Sequence, residues 1–275
     1  MPLPDFAKPP LVEVVLSVQF DRLERLGVPQ LGLLWSDYRE RFPFTESHPP
    51  LEPAFERFDQ KLQSPLNIEV KIMESIPVPR VWFLDKPRAE LVQIQQDRLI
   101  HNWRKIHEDH DYPRYEYIRE AFQSDLNTFQ DFLERESIGK LNPIQCEVTY
   151  INQIISGEGW QHHTDVSNVL TSWSWENVNN LSVRPEEVQF NARFIIPDQN
   201  RSPIGRLHVK LQPAYRTRDN KAIFVLELTA RGEPPNCDIE GIFSFFDAGR
   251  ECIVQAFAAM TSHQMHTIWR RRDEF

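Results

Sequence analysis

The chain has 275 residues, of which 40% are hydrophobic and 26% are charged, and its formal net charge at pH 7 is -9. A chain of this length can bury a full core, as one large domain or as two packed halves. The acidic balance argues against a general affinity for phosphate backbones, so nucleic acid is not the partner that we expect. No run of residues approaches the roughly twenty apolar positions of a membrane span.

The amino-terminal segment and the cysteines indicate the cellular compartment in which we expect the protein. Glu13 interrupts the apolar residues of the first segment, which has neither a basic leader nor a cleavage pattern and does not resemble a signal peptide. Cys146, Cys237 and Cys252 are too scattered for a disulfide framework or a thiolate zinc site. We therefore expect a cytoplasmic protein that has no cofactor.

The first part of the chain alternates between strand and helix patterns. Val14, Leu16 and Val18 occupy every second position of an apolar segment, which is typical of a half-buried strand. Pro29 suits the first turn of a helix. The predicted elements are a strand over 11–20, a helix over 29–41, an irregular surface loop over 43–65, short strands over 68–72 and 79–84, and a strand that begins at Leu91.

The stretch from Leu91 to Tyr115 combines a strand pattern with many polar groups. Apolar residues alternate with Gln93 and Gln95, so these two amides and Asp97 would share one face of the strand. The chain then turns through charged residues to a tyrosine-proline-arginine-tyrosine segment that opens a long helix. These groups either stabilise a strand-to-helix corner or form a recognition surface. The candidate binding residues are Gln93, Gln95, Asp97, Asn102, Trp103, Arg104, Tyr112, Arg114 and Tyr115.

The pattern of the first part is repeated after residue 140. The long helix that begins near Arg114 carries apolar residues at steps of three and four, and Gly139 is its predicted end. The predicted elements that follow are a strand over 144–150, a helical or irregular segment over 164–175, strands over 188–196, 207–211 and 222–230, and a helix over 239–270. We predict an α+β protein with two similar halves, 1–140 and 141–275, whose long helices pack on one or two curved antiparallel sheets.

Catalytic motifs are missing from this sequence. It has no nucleophile elbow, P-loop or dinucleotide-binding glycine pattern. His162, His163 and Asp165 have the residue types of a metal site, but adjacent histidines diverge and no further ligand stands at a strong spacing. We expect no metal. The alternative that stays open is a hydrolase or nuclease-like enzyme that uses carboxylates with His162 or His163, assisted by a metal.

Three segments resemble the motifs of a known family. These are Pro9-Pro10-Leu11-Val12-Glu13, the stretch from Gln93 to Arg104 (QIQQDRLIHNWR), and Tyr112-Pro113-Arg114-Tyr115. Together they resemble a family of soluble prokaryotic proteins that is distributed sporadically among genomes. The resemblance covers almost the whole chain and implies no catalytic residue, cofactor or substrate. The patchy distribution of the family resembles that of accessory genes such as defence modules.

The sequence thus favours a non-enzymatic binding, regulatory or adaptor protein. The polar face that carries Gln93, Gln95 and Asp97 is its candidate surface, and we expect the partner to be a protein. An apolar pocket under a long helix could instead hold a small molecule. The sequence leaves open whether the protein forms a homo-oligomer.

Overall fold

The computed structural model describes residues 2–58, 77–173, 185–198 and 200–273. Within these residues the chain forms nine strands and five helices. The strands are β1 (Leu11–Phe20), β2 (Phe44–His48), β3 (Arg80–Leu84), β4 (Glu90–Gln95), β5 (Arg98–Arg104), β6 (Pro143–Ile155), β7 (Phe190–Pro197), β8 (Pro203–Tyr215) and β9 (Ala222–Gly232). The helices are α1 (Val28–Tyr38), α2 (Tyr115–Arg135), α3 (Val166–Val169), α4 (Ile239–Met260) and α5 (His263–Ile268).

All nine strands belong to one antiparallel sheet. Its order is β2-β3-β4-β5-β1-β6-β9-β8-β7, so β1 and β6 are neighbours in the middle. Beside β1 lies β5, and beside β6 lies β9; each is the strand that precedes a long helix. The prediction of an α+β protein with an antiparallel sheet is confirmed, and the strands on both sides of residue 140 share one sheet.

The helices α1, α2 and α4 cover one face of this sheet. Helix α2 packs on β5 and β1, and α4 packs on β6 and β9. The apolar stripe of α2 buries Ile118, Phe122 and Phe129 completely. Helix α4 approaches the sheet closely at Gly249, where an added Cβ would lie 3.1 Å from the Cβ of Ala230. The hydrophobic core therefore lies between the two long helices and the sheet.

A buried charged group lies within this core. Asp125 of α2 accepts a hydrogen bond of 2.7 Å from Nδ1 of His101 on β5, and both side chains are fully buried. The other carboxylate oxygen accepts a 2.8 Å bond from Arg41, and the Tyr38 hydroxyl donates to the Asp125 carbonyl at 2.6 Å. The group thereby connects α2 to β5 and to the end of α1.

Two strands escaped the prediction from sequence. Strand β5 was expected to be a charged turn, because it places Arg98 and Asn102 on one face and His101 on the other, and so lacks an obvious dry side. Strand β2 lies in the segment that was predicted to be irregular, and it pairs only with β3 among the described strands. The strand predicted over 68–72 lies outside the described residues.

The final helix of the chain is interrupted, whereas the sequence predicted one helix over 239–270. Helix α4 ends at Met260, because Thr261 adopts an extended conformation and bridges to Leu170. Ser262 then begins α5 and its hydroxyl accepts a hydrogen bond from the Met265 amide. A serine in this position is a standard N-cap, so a new helix starts there.

The segment predicted as helical or irregular over 164–175 contains a single short helix, α3, in its described part. None of the helices in the described part of the chain is both long and apolar enough to cross a bilayer.

Candidate functional site

The face of the sheet opposite the three covering helices is polar over most of its width. We call it the polar face. The side chains of two residues that are paired across antiparallel strands lie on the same side of a sheet, so the strand register shows which residues belong to the polar face. One row across the strands consists of Gln93, Ile100, Ser17, Glu147, Arg231 and Arg206. The next row consists of Gln95, Arg98, Gln19 and Gln145, and a third contains Asn102, Thr149, Thr229 and His208.

Many of these polar side chains are buried because a segment of the same chain covers them. We call this segment, residues 49–58, the strap; it has no regular secondary structure. Its backbone amides donate to the side-chain oxygens of three glutamines. Leu51 donates to Gln95 at 2.9 Å. Ala54 donates to Gln19 at 3.2 Å, and the amide of Glu56 donates to Gln145 at 2.9 Å.

The strap runs across the strands rather than along them. The three glutamines stand on β4, β1 and β6, and with β5 between the first two they span three spacings between strands. Three spacings of roughly 4.8 Å cover about 14 Å, whereas five residues of extended chain cover about 16 Å. The strap is therefore almost fully extended between Leu51 and Glu56.

Gln95 binds the strap as a second strand would. Its side-chain oxygen accepts from the Leu51 amide, and its nitrogen donates to the Leu51 carbonyl at 3.0 Å. The remaining proton of that nitrogen is directed to Asp97 at 2.5 Å. Nearby, Arg98 donates to the Glu52 carbonyl at 3.3 Å. Because these contacts reach peptide groups, they recognise an extended backbone and not its side chains.

Glu56 is the charged anchor of the strap. Its carboxylate accepts 2.6 Å hydrogen bonds from Arg206 and from Nε2 of His208, and Arg231 lies 3.6 Å away. Burial by itself would raise the pKa of Glu56. The hydrogen bonds from His208 and Arg206 and the charge of Arg231 outweigh burial and hold the pKa below its ordinary value. The ionised form is thus the one that binds.

The carboxyl end of the strap is held by Arg206. This residue donates to the Arg57 carbonyl at 2.9 Å, and its guanidinium carbon lies 4.3 Å from the centre of the Phe58 ring. Along the strap, Glu56 is buried while Phe55 and Arg57 are exposed. The strap therefore directs its anchor at the sheet and neighbouring side chains at solvent.

The polar face also has hydrogen-bond donors that the strap does not satisfy. Five buried side-chain nitrogens on this face have no hydrogen-bond acceptor among the described residues. An unsatisfied buried donor costs about 1–3 kcal/mol, so the face favours a ligand with additional acceptors. The five atoms are Nε of Arg80, Arg98 and Arg104, Nε1 of Trp82 and Nε2 of Gln145.

A relay of side-chain hydrogen bonds extends from β3 to β1. Arg80 donates to Gln93 at 2.8 Å, Gln93 donates to Asn102 at 2.7 Å, and Asn102 donates to Glu13 at 2.7 Å. Burial raises the pKa of Glu13, although the hydrogen bond from Asn102 and the charge of Arg104 act in the opposite direction. Residues from separate sequence motifs are thus joined in one network.

The residues predicted from the sequence fall into three places. Gln93, Gln95, Asn102 and Arg104 lie on the polar face. Asp97 lies in the turn between β4 and β5, where it accepts the bond from Gln95. Trp103 points to the helical side, where it is buried and its ring centre lies 5.4 Å from that of Tyr112.

Tyr112, Arg114 and Tyr115 lie away from the polar face, at the start of α2. The hydroxyls of Tyr112 and Tyr150 are 3.1 Å apart. Arg114 donates to Asp5 at 2.9 Å, and the Tyr115 hydroxyl donates to Asp247 of α4 at 2.7 Å. Burial and the hydrogen bond to Asp247 raise the pKa of Tyr115. These residues belong to a second site, around a cavity.

Sequence reasoning missed the strap and the residues of β1, β6, β8 and β9 that bind it. A signal was present, because polar residues alternate with apolar ones along each of these strands. Alternation alone indicates a solvated face, however, and does not reveal that a distant segment covers it. The missed residues are Gln19, Gln145, Arg206, His208 and Arg231.

Of His162, His163 and Asp165, which have the residue types of a metal site, the side chains of His163 and Asp165 bond to the protein backbone instead. Asp165 accepts hydrogen bonds of 2.9 Å from the backbone amides of Gln161 and His162, and these bonds lower its pKa. His163 bonds the carbonyl of Ile223 at 3.1 Å. Within the described residues, no three histidine, cysteine, aspartate or glutamate side chains are placed so that they could hold a metal ion.

No protein-family model matches the chain, and no curated protein is significantly similar to it in sequence.

Proposed function

We propose that the protein is a non-enzymatic binding protein, of the regulatory or adaptor kind, that captures an extended segment of a partner protein on its polar face. The observation that carries this proposal is the strap, whose backbone amides bond to Gln95, Gln19 and Gln145. Side-chain amides placed at the spacing of an extended chain are suited to any peptide backbone. A separate pocket for one carboxylate then selects the sequence.

The strap acts in this proposal as an internal ligand that the partner displaces. A tethered segment competes at an effective concentration of about a millimolar. The partner must therefore gain contacts that the strap lacks. The unsatisfied nitrogens of Arg98 and Gln145 supply such contacts. The expected partner segment is extended and acidic, with a glutamate or aspartate at the place of Glu56 and more acceptors than the strap.

The proposed binding spans both halves of the chain, 1–140 and 141–275. Gln95 and Gln19 belong to the first half, whereas Gln145 and Arg206 belong to the second. The first named strand of each half is central in the sheet, and each half has a long helix on the same face near its end, so we propose that the halves arose by duplication. The strap crosses the junction of β1 and β6, so a bound partner would bridge the two halves.

The resemblance to the sporadic prokaryotic family is consistent with this proposal. Glu13, Gln93 and Asn102, from two of its motifs, join in one hydrogen-bond relay on the polar face. We propose that these motifs maintain the binding face in a cytoplasmic protein of an accessory, defence-type system.

The proposal is tested with the full-length Glu56→Gln variant, which weakens the strap and leaves its binding pocket intact. A fluorescein-labelled peptide of residues 49–58 is titrated with this variant and with the wild type, and binding is followed by fluorescence anisotropy. We expect the variant to bind at least tenfold more tightly, because its own strap no longer competes. The same peptide with glutamine at the place of Glu56 should bind the variant at least tenfold more weakly.

A second substitution provides the control. In the Glu56→Gln, Arg206→Gln double variant, the preference for glutamate in the peptide should shrink severalfold. Absence of peptide binding by Glu56→Gln, once hydrogen exchange shows that its strap is open, would refute the proposal. Binding of a DNA duplex that is lost in high salt, without binding of the peptide, would assign the face to nucleic acid instead.

A further inference from the structure

A separate cavity lies on the helical side of the sheet. It is bounded by the start of α2, by α4, by β6 and β9, and by residues 4–9, which we call the arm. The cavity offers about 80 Å³ to atoms of water size. One water needs roughly 10–15 Å³ by this measure. The space therefore suits a molecule of about five to eight non-hydrogen atoms.

The cavity contains several hydrogen-bond donors, and the Asp5 carboxylate that also lines it is already paired with Arg114 and Arg272. The hydroxyls of Tyr112 and Tyr150 are 3.1 Å apart, so one of their two protons forms the bond between them and the other is available. Nε of Arg250 is buried and has no acceptor among the described residues. The Glu116 carboxylate lies 3.6 Å from Nη2 of Arg250, but Glu116 is largely exposed. The cavity thus presents a cation and a phenol to whatever occupies it.

Tyr112 remains a neutral donor over the physiological range. Burial raises its pKa well above the ordinary value, and the neighbouring Tyr150 raises it further. Burial also raises the pKa of Tyr150, against the hydrogen bond with Tyr112 and the charge of Arg250. A deprotonated phenol would repel an anion, whereas two neutral phenols next to a guanidinium favour one.

Most of the remaining wall is hydrocarbon, apart from Asn152, whose amide nitrogen donates to the Leu226 carbonyl at 3.1 Å. Apolar side chains of β1, β9 and α4, together with a proline of the arm, surround the remaining space. A ligand here must bury an apolar body while its head reaches the donors. The apolar residues include Pro9, Leu11, Leu228, Ile253, Val254 and Phe257.

The backbone beside the cavity is strained. Arg114 has φ of 79° and ψ of 158°, a region that is essentially restricted to glycine and costs about 1–3 kcal/mol for other residues. This conformation stands between Tyr112 and Tyr115, and the pair of Arg114 with Asp5 connects it to the arm. A strained residue persists only where the surrounding structure holds it in place, and such residues are concentrated at ligand-binding and active sites.

We propose that this cavity binds a small monocarboxylate with a hydrocarbon body of about four or five carbons, whose carboxylate bonds to Arg250 and to the available tyrosine hydroxyl. The arm lies over the ligand. Its amides at Ala7 and Lys8 donate to the carbonyls of Arg270 and Trp269 at 3.0 Å, so the ligand would also stabilise the contact between the two ends of the described chain. This site is independent of peptide binding on the polar face.

Pentanoate is the first probe, with pentanamide as the neutral match of the same size. A ligand of seven heavy atoms has a Kd of about 0.1–10 mM. We expect pentanoate, but not pentanamide, to raise the melting temperature of the full-length protein, with an effect that grows with the logarithm of its concentration above Kd. At ten times Kd the unfolding equilibrium constant falls about elevenfold. Acetate, which fills little of the cavity, should act at least tenfold more weakly.

Two cavity variants and one matched control assign the effect. Arg250→Gln should abolish the response to pentanoate, and Tyr112→Phe should weaken it severalfold. Arg135→Gln, an exposed arginine of α2, should respond as the wild type does. Isothermal titration of Tyr112→Phe provides the answer if Arg250→Gln fails to fold. Three results would overturn the proposal. Pentanamide could stabilise the protein as much as pentanoate does, or both variants could respond to pentanoate as the wild type does. The third is that the wild type does not respond to pentanoate at about ten times the upper Kd given above.

Discussion

The substitution Glu56→Gln isolates the anchor of the strap. It keeps the shape of the side chain and one oxygen acceptor, and it removes the charge that Arg206 and His208 contact at 2.6 Å. Glu56 is 8% exposed, so solvent replaces little of the lost interaction. The strap should therefore detach more often while the sheet beneath it remains folded.

The magnitude follows from these contacts. Removing one partner from a buried, hydrogen-bonded charge pair costs about 2–5 kcal/mol, and the retained oxygen of glutamine favours the lower part of that range. An effect of about 2–4 kcal/mol corresponds to a change of roughly 30- to 1000-fold in the opening equilibrium. The relevant equilibrium is local, because the strap contacts the sheet through its own few hydrogen bonds.

Amide hydrogen exchange measures how often the strap detaches from the sheet. The amides of Leu51, Ala54 and Glu56 bond to side chains of the polar face, so their protection measures attachment of the strap. In Glu56→Gln their protection should fall by the factor given above, or to the unprotected rate, while amides of β1 and β6 keep theirs. Glu52→Gln is the matched control, because Glu52 is an exposed carboxylate of the same strap.

Two results would refute the reasoning. Unchanged protection of the three strap amides in Glu56→Gln would mean that the carboxylate does not hold the strap. An equal loss in Glu52→Gln would mean that net charge, rather than the contacts of the anchor, determines attachment.

Three further predictions concern pH, the core and the strained backbone. The pKa of Glu56 is lowered from 4.5, so its contribution to strap attachment is complete above that pH and is lost as the pH falls below it; exchange of the strap amides at pH 6 and 3.5 measures the loss. Asp125→Ala should destabilise the protein by about 3 kcal/mol in urea unfolding, since it leaves the buried His101 without its partner, whereas Asp131→Ala on the exposed side of α2 should be nearly neutral. Arg114→Gly should be about 1–3 kcal/mol more stable than Arg114→Ala, because both lose the contact with Asp5 and only glycine relieves the strain; equal stabilities would contradict this.

Periodic segments were predictable from sequence. Strand β1 was predicted with its observed bounds, and α2 begins within one residue of its prediction. In both elements one side is buried and apolar and the other is polar, so the spacing of apolar residues along the chain identifies the element. Strand β5 was missed because His101 is polar and yet buried on the helical side, where only its contact with Asp125 makes burial possible.

The candidate site was predictable in part. Gln93 and Gln95 were identified as a polar row, and they lie on the polar face. That row could not be distinguished from a solvated surface, because the strap that buries it has no periodic pattern. Tyr112 and Tyr115 were grouped with the same row by proximity along the chain, yet they line a cavity on the other side of the sheet.

Local pattern alone determined that this chain contains antiparallel strands and two long amphipathic helices, because burial of one side imposes a period of two or of about 3.6 on the residues. Tertiary structure decided that β1 lies beside β6 and that the strap crosses both. Glu56 and Arg206 meet across 150 positions of the chain. No local period encodes such a pair; only the assembled sheet brings the carboxylate to its donors.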